Sequence, residues 1–386
     1  MRAVVIVALG FLSATAAPQT PQFRQVTIPT GPSPRAIAVA DVNHDGNPDI
    51  LVTNKGSDKA DEGTIMVLLG DGTGGFRIAP GSPFPAGHLP NDIAVADMNN
   101  DGNPDLVVAN HQSPYLRVFL GDGRGGFRLA PGSPVDVHSN PHPHGVVVGD
   151  FNSDGKPDAV TDSWANNQVE LLFGDGDGRL LTPGTFFATG HRPYERLRSA
   201  DFNRDGHPDI VTTNLDDGTV SILLGDGHGG LHNARGSPFP AGAKPWQVAI
   251  DDFGNNGIAD LVLIPYQRDI ANLAENVVTI LEGNGHGAFR PMAGSPLSLG
   301  DCRGPNSVAA GDLSGQGDHS IAVACADSKT LMLYQRGTDG RFTSSSIPIP
   351  GGWGSVAIAR LTHDPRAAII TANADAGTIT IWFPEH

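Results

Sequence analysis

The sequence predicts an all-β fold: a seven-bladed β-propeller of four-stranded antiparallel blades, closed into a ring by its N-terminal strand. Three observations predict it. A nine-residue, Asp-rich stretch recurs along the 386-residue chain, first as DVNHDGNPD at Asp41. Short apolar runs flank each copy, and Gly (50) and Pro (31) punctuate them, which reads as many short strands joined by tight turns. The last repeat stops one strand early, and a matching strand lies near the start of the chain.

In chain order, MRAVVIVALGFLSATAAPQT comes first. Arg2, an apolar stretch from Ala3 to Leu12 and Ala14-Thr15-Ala16 give the n-region, h-region and cleavage site of a secretory signal peptide. The stretch is too short to span a bilayer. The domain reading is therefore a signal peptide over 1–16 and a propeller over 17–386. The expected location is secreted, periplasmic or cell-surface, after cleavage near Ala16.

PQFRQVTIPTG (21–31) then reads as a lone strand, with Phe23 where Phe76 and Phe127 stand in later repeats. The Asp-rich stretch follows at Asp41, Asp97, Asp150 and Asp201, more weakly at Asp252 and Asp312, and in degenerate form from Arg360. These starts are 56, 53, 51, 51, 60 and 48 residues apart. Such a period marks a repeat architecture. Each repeat has an apolar run before the stretch, another after it, a third ending in a GDG-type turn, and a fourth behind that turn. The final repeat ends at GTITIWFPEH (377–386), after its third run. A solenoid would not explain that offset. A closed ring does, because the N-terminal strand then completes the last blade and leaves no open edge.

The formal charge of −16 and the lack of any basic run exclude a nucleic-acid-binding role. No later segment is long and apolar enough for a membrane helix.

DxNxDGxxD loops in register with GDGxGGF-type turns resemble the FG-GAP (VCBS-type) repeat of integrin α-chain heads and secreted bacterial proteins. That resemblance implies a seven-bladed propeller with Ca²⁺ in the hairpin between the first two strands of several blades. It implies no single activity.

Read residue by residue, the loops suit a hard cation. Ca²⁺ takes about six to eight oxygen ligands in flexible geometry. The first loop offers Asp41, Asn43, Asp45, the Asn47 carbonyl and Asp49. The second offers Asp97, Asn99, Asp101, Asn103 and Asp105. The third offers Asp150, Asn152, Asp154, Lys156 and Asp158, and the fourth Asp201, Asn203, Asp205, His207 and Asp209, with the seventh residue again contributing its carbonyl. About four Ca²⁺ are expected, as structural staples, since near-identical loops spread round a ring do not make one substrate cleft. The fifth loop keeps Asp252, Asn256 and Asp260 and is left open. The sixth and seventh are expected to be metal-free.

A ligand site is expected on the opposite face, where sequence varies between repeats. Just before the first strands stand Arg35, Asn91, Asp92, His144, Tyr194, Glu195, Trp246, Gln247, Asn306 and Trp353. Trp and Tyr beside amides and carboxylates suit a sugar or peptide. HSNPHPHG (138–145) gathers His138, His142 and His144, a candidate transition-metal site. His144 with Glu195 or Asp92 is a candidate acid–base pair. Cys302 and Cys325 are placed on this same face of one blade, within reach of a bridge that would staple a blade whose Asp loop has decayed. The reading that results is a secreted, calcium-stabilised binding module for an extracellular protein or glycan. The alternative is a propeller enzyme, a polysaccharide lyase or hydrolase.

Overall fold

A computed structural model of the protein describes residues 22–56, 62–140, 142–266, 275–337 and 339–385. The signal-peptide reading over 1–16 lies outside these. Within them the chain forms seven antiparallel sheets, each with four main strand positions. The innermost strands are Pro34–Ala40, Pro90–Ala96, Val146–Gly149, Arg198–Ala200, Pro245–Asp251, Pro305–Asp312 and Val356–Ala359, and they adjoin one another around the ring. A single 3₁₀ turn, Trp164–Asn166, separates the second and third strands of the third blade.

The ring closes as the offset predicts. Strand Phe23–Pro29 pairs antiparallel with Thr378–Pro384, Phe23 facing Pro384, and forms the outer edge of the seventh blade. One detail differs from a simple four-strand meander. In the first, second, fourth and fifth blades the outermost position is split into two short pieces, such as Phe76–Ile78 and Phe84–Gly87, both pairing with the third strand. The Gly-Ser-Pro turns between the pieces interrupt the ladder because Pro has no N–H to donate. The Ser82 hydroxyl fills in by accepting from the Val67 amide at 2.9 Å.

Second strands such as Asp49–Asn54 are buried at every residue, since each blade is covered on both faces by its neighbours. That is why ILVTN and LVVAN read as unbroken runs instead of an alternation. Alternate residues feed different interfaces: Ile50 and Val52 pack with Ile370 and Ile381 of the seventh blade, Leu51 with Leu106 and Val108 of the second. Seven such apolar clusters occupy the seven blade–blade junctions, so the core is a ring of seams with no single centre.

Cys302 and Cys325 form a disulfide with Cα atoms 5.4 Å apart, closing a loop of 23 residues. It ties the lead-in of the sixth blade to the end of its second strand, on the face opposite its Asp loop. The loop-entropy contribution for such a span is about 3 kcal/mol. Replacing both by Ser is expected to lower the melting temperature by about 4 °C, given the transition entropy of a chain this long. Identical calorimetric melting of the oxidised wild type and the double variant would rule out a stapling role.

Candidate functional site

Two opposed faces carry the candidate chemistry. On the first, four Asp loops repeat one hydrogen-bond pattern. Asp41 accepts from the Asp45 and Gly46 amides at 3.2 and 2.9 Å, and Asp45 accepts from the Asn47 amide at 2.8 Å. Asp97, Asp150 and Asp201 repeat the first two of these contacts. The turn needs two left-handed residues. Gly46 (φ 82°) is one, and His44 (φ 58°) is the other, a position with no glycine signal that sequence reading passed over.

The ninth residue behaves differently from the first and fifth. Asp49 is fully buried, and its two oxygens accept from the Val42 and Gly70 amides at 2.9 and 2.8 Å, tying loop to third strand. Burial pushes its carboxyl up to about 6, with Asp45 and Asp41 adding to the rise and the two amides opposing it. Asp105, Asp158 and Asp209 are raised to about 6 for the same reasons. The residues present fit a hard cation. The side-chain donors are all oxygen, several carboxylates crowd one short turn, and each oxygen uses only part of its acceptor capacity on amides. In the degenerate seventh loop Arg366 forks onto Asp364 at 2.9 and 2.6 Å, so a guanidinium supplies positive charge there.

Loops are also linked from blade to blade. His44 Nε2 meets Asn103 Oδ1 at 3.1 Å, Asn100 donates to the Gly155 carbonyl at 3.2 Å, and Arg204 to the Asn256 carbonyl at 2.9 Å. Glycines of the GDG-type turns complete the latch: the Gly125, Gly178, Gly229 and Gly287 amides each donate to the preceding blade's Asp loop.

On the second face the sequence-predicted ring divides in two. Its charged and amide members are buried, and Arg35, Asn91 and Glu195 are spent on each other. Arg35 pairs with Glu195, donates to Asn91 Oδ1 at 3.1 Å and to the Trp353 carbonyl at 2.7 Å. Asn91 in turn donates to Glu195 Oε2 at 3.1 Å and to the His144 carbonyl at 2.8 Å. Arg196 faces Asp92 at 3.7 Å and bonds the Ser355 hydroxyl. Asn306 donates to the Gly354 carbonyl at 2.6 Å, and Gln247 is buried. Burial would raise the Glu195 carboxyl, but Arg35, with His144 and Lys55, outweighs it and holds the group down at about 2. Glu195 sits in the left-handed region (φ 68°), and a Cβ at Gly145 would lie 2.8 Å from its carbonyl oxygen, so the lead-ins of blades three and four touch backbone to backbone. These groups form a polar plug across the channel.

The aromatic members remain as an arc over that plug. Tyr194 lies 4.9 Å from Trp246, which stacks on Tyr266 at 4.3 Å and 21°. Trp353 closes one end, 6.3 Å from Trp246, and Trp164 the other, 5.5 Å from Tyr194. Arg192 lies over both Trp164 and Tyr194. Three of the protein's four Trp and two of its four Tyr are concentrated here. Trp164 and Tyr266 come from turns between second and third strands and were not among the lead-in residues expected from sequence.

The expected His144–Glu195 and His144–Asp92 pairings do not form. His144 Nδ1 meets Asp162 Oδ2 at 2.9 Å, while Asp162 Oδ1 accepts the His144 and Gly145 amides. The proposed histidine trio also changes membership. His138 is exposed and turns to Glu170 at 3.4 Å. His111, from the second blade, takes its place, with ring centroids 4.3 Å from His142 and 5.0 Å from His144. Burial, with the Lys55 charge adding, pushes His111 down to about 2; burial and His144 push His142 down to about 4.

Comparison with known proteins places this architecture. An FG-GAP-like repeat model matches residues 59–108, 97–161 and 201–263, and an FG-GAP repeat model matches residues 33–68. The human phosphatidylinositol-glycan-specific phospholipase D is 28% identical over 153 residues, covering 33% of this chain and 18% of that protein, so the chain spans a small part of that relative's length. Among solved structures, the Pseudomonas aeruginosa periplasmic gluconolactonase PpgL superposes with a TM-score of 0.62 at 17% identity, over 83% of this chain and 86% of that one. An Agrocybe aegerita lectin, described as recognising non-reducing terminal N-acetylglucosamine, superposes with a TM-score of 0.50 at 18% identity, over 92% and 87%. At such identities the likeness is one of fold. With the family matches, the seven sheets and the Asp loops in register, this chain is an FG-GAP repeat β-propeller.

Proposed function

We propose that the protein is an exported, Ca²⁺-stabilised binding module whose ligand, foremost a glycan, lies on the aromatic arc at the plugged channel mouth. The observation that carries this is the arc itself. A chain with 6% aromatics gathers five large rings, Trp164, Tyr194, Trp246, Tyr266 and Trp353, on one face. Apart from Trp246 they are only partly buried, so ring faces and edges remain for a ligand. Aromatic surface beside Arg192 and backbone carbonyls suits the apolar face and hydroxyls of a sugar. The same surface would take an extended protein segment. Lectin and lactonase propellers share the fold, so the fold alone does not choose between binding and catalysis. Binding is favoured because the carboxylates nearest His144 are already engaged: Glu195 by Arg35, and Asp162 by His144 and two amides.

The test is tryptophan fluorescence titration with hits from a glycan array, alongside a polysaccharide-degradation assay. Tyr266→Ala and Trp353→Ala are each expected to weaken binding roughly two- to tenfold, the range for one lost aromatic contact. Glycan binding that both variants retain in full would move the site elsewhere. Turnover of a polysaccharide would establish the lyase or hydrolase alternative.

A further inference from the structure

Beside the aromatic arc, three imidazoles from two blades meet. His111 follows the second strand of blade two, Asp105–Asn110; His142 and His144 lie on the lead-in to the first strand of blade three. One ring nitrogen from each lies within 4.8 Å of the other two. Among the described residues this is the one cluster of three His, Cys, Asp or Glu groups that meets so closely.

Two atoms of the cluster have no partner. His144 is 1% exposed, and its Nε2 is buried without a hydrogen bond, as is Nδ1 of His111. A buried polar atom without a partner costs on the order of 1–3 kcal/mol, so such atoms call for an explanation. The tautomer of His144 follows from its neighbour. The Asp162 carboxylate accepts, so Nδ1 carries the hydrogen at 2.9 Å and Nε2 presents a lone pair. A carboxylate behind one ring nitrogen, with the other ring nitrogen left free, is the arrangement that orients metal-bound histidine and raises its basicity.

We propose that His111, His142 and His144 form a binding site for a divalent transition-metal ion of the Zn²⁺ class, with Asp162 as the positioning residue behind His144. Three neutral imidazoles are a borderline-soft nitrogen set, which suits Zn²⁺, Co²⁺ or Ni²⁺ and not Ca²⁺. Nitrogens bound to Zn²⁺ at about 2.0–2.1 Å in a tetrahedron stand roughly 3.4 Å apart. The cluster would have to contract by up to about 1.4 Å, which rotation of the half-buried His111 and His142 rings can provide while Asp162 holds His144. Since those two rings are partly exposed, a fourth position stays open to solvent or to a ligand donor. The site is chemically separate from the all-oxygen Asp loops and lies on the other face.

The test uses the full chain in Ca²⁺-saturated buffer, so that the Asp loops are occupied, titrated with Zn²⁺ alone by calorimetry and with Co²⁺ by visible absorption. The wild type is expected to bind one Zn²⁺ tightly and to give the d–d spectrum of a nitrogen-liganded, four-coordinate Co²⁺ site. His142→Ala and His111→Ala remove half-buried side chains and should fold, which their Ca²⁺-dependent melting checks. Each is expected to weaken Zn²⁺ binding by on the order of 100-fold or more and to abolish the Co²⁺ spectrum. His138→Ala, four residues from His142 but turned towards Glu170, should leave both unchanged. Folded His111→Ala and His142→Ala proteins that bind Zn²⁺ as the wild type does, or a wild type that binds none, would overturn the assignment.

Discussion

Removing Ca²⁺ is expected to lower the melting temperature by on the order of 10 °C. A ligand bound only by the folded state adds about 2.7 kcal/mol per site at a hundredfold excess over its Kd. Four independent sites then contribute about 11 kcal/mol, which the transition entropy of a chain this long converts into that shift. The loops supply a mechanism. Asp41, Asp45 and Asp49 crowd one turn, burial and the neighbouring carboxylates raise Asp49, and a divalent ion would relieve that repulsion. Because His44, Asn100 and Arg204 link loop to loop, loosening one turn should loosen the adjacent blade as well. Scanning calorimetry with Ca²⁺ and with excess chelator checks this. Superimposable traces would leave the Asp loops as simple turns, with no part for a metal.

The second large effect is expected from Glu195→Ala. The substitution leaves Arg35 buried and unpaired in the channel plug, and breaking a buried pair from one side costs about 3–5 kcal/mol. Asn91 loses an acceptor too. Removing both charges, as in Arg35→Met with Glu195→Leu, should restore much of the loss, since the penalty comes from the stranded charge. The pH dependence has a defined sign. Glu195 is held down at about 2 from an unfolded value of 4.5, so its contribution is full above pH 4.5 and is lost as pH falls towards 2. Urea unfolding at neutral pH is the measurement. A cost below about 1 kcal/mol for the single change would mean that the plug carries no stability.

What the sequence revealed and what it hid follow from the range of the interactions. Blade number, the Asp loops, the GDG turns and the closing strand are written in short stretches, because turn chemistry acts over a few residues. Phe23 could be matched to Phe76 and Phe127 by position alone. The channel plug is of the opposite kind. Arg35 and Glu195 are 160 residues apart and meet only because their lead-ins converge on the axis. As a ring of residue types before each first strand they resembled a ligand rim, and nothing local told that they would satisfy one another. The histidines show the same limit. His138 stands near His142 in sequence but turns outward to Glu170, while His111 arrives from the neighbouring blade. The useful signal would have been geometric: the turn after a second strand reaches the next blade's lead-in.

The closing strand has a further consequence, for how the molecule can be tethered. Phe23 and Pro384 are paired neighbours, and the Glu385 amide donates to the Gln22 carbonyl at 2.8 Å. Both lie at the Asp-loop end of their sheet, next to Gly72, Thr73 and His363. Gln22 and Glu385 therefore share that side, and a group coupled at either of these two residues would sit away from the aromatic arc.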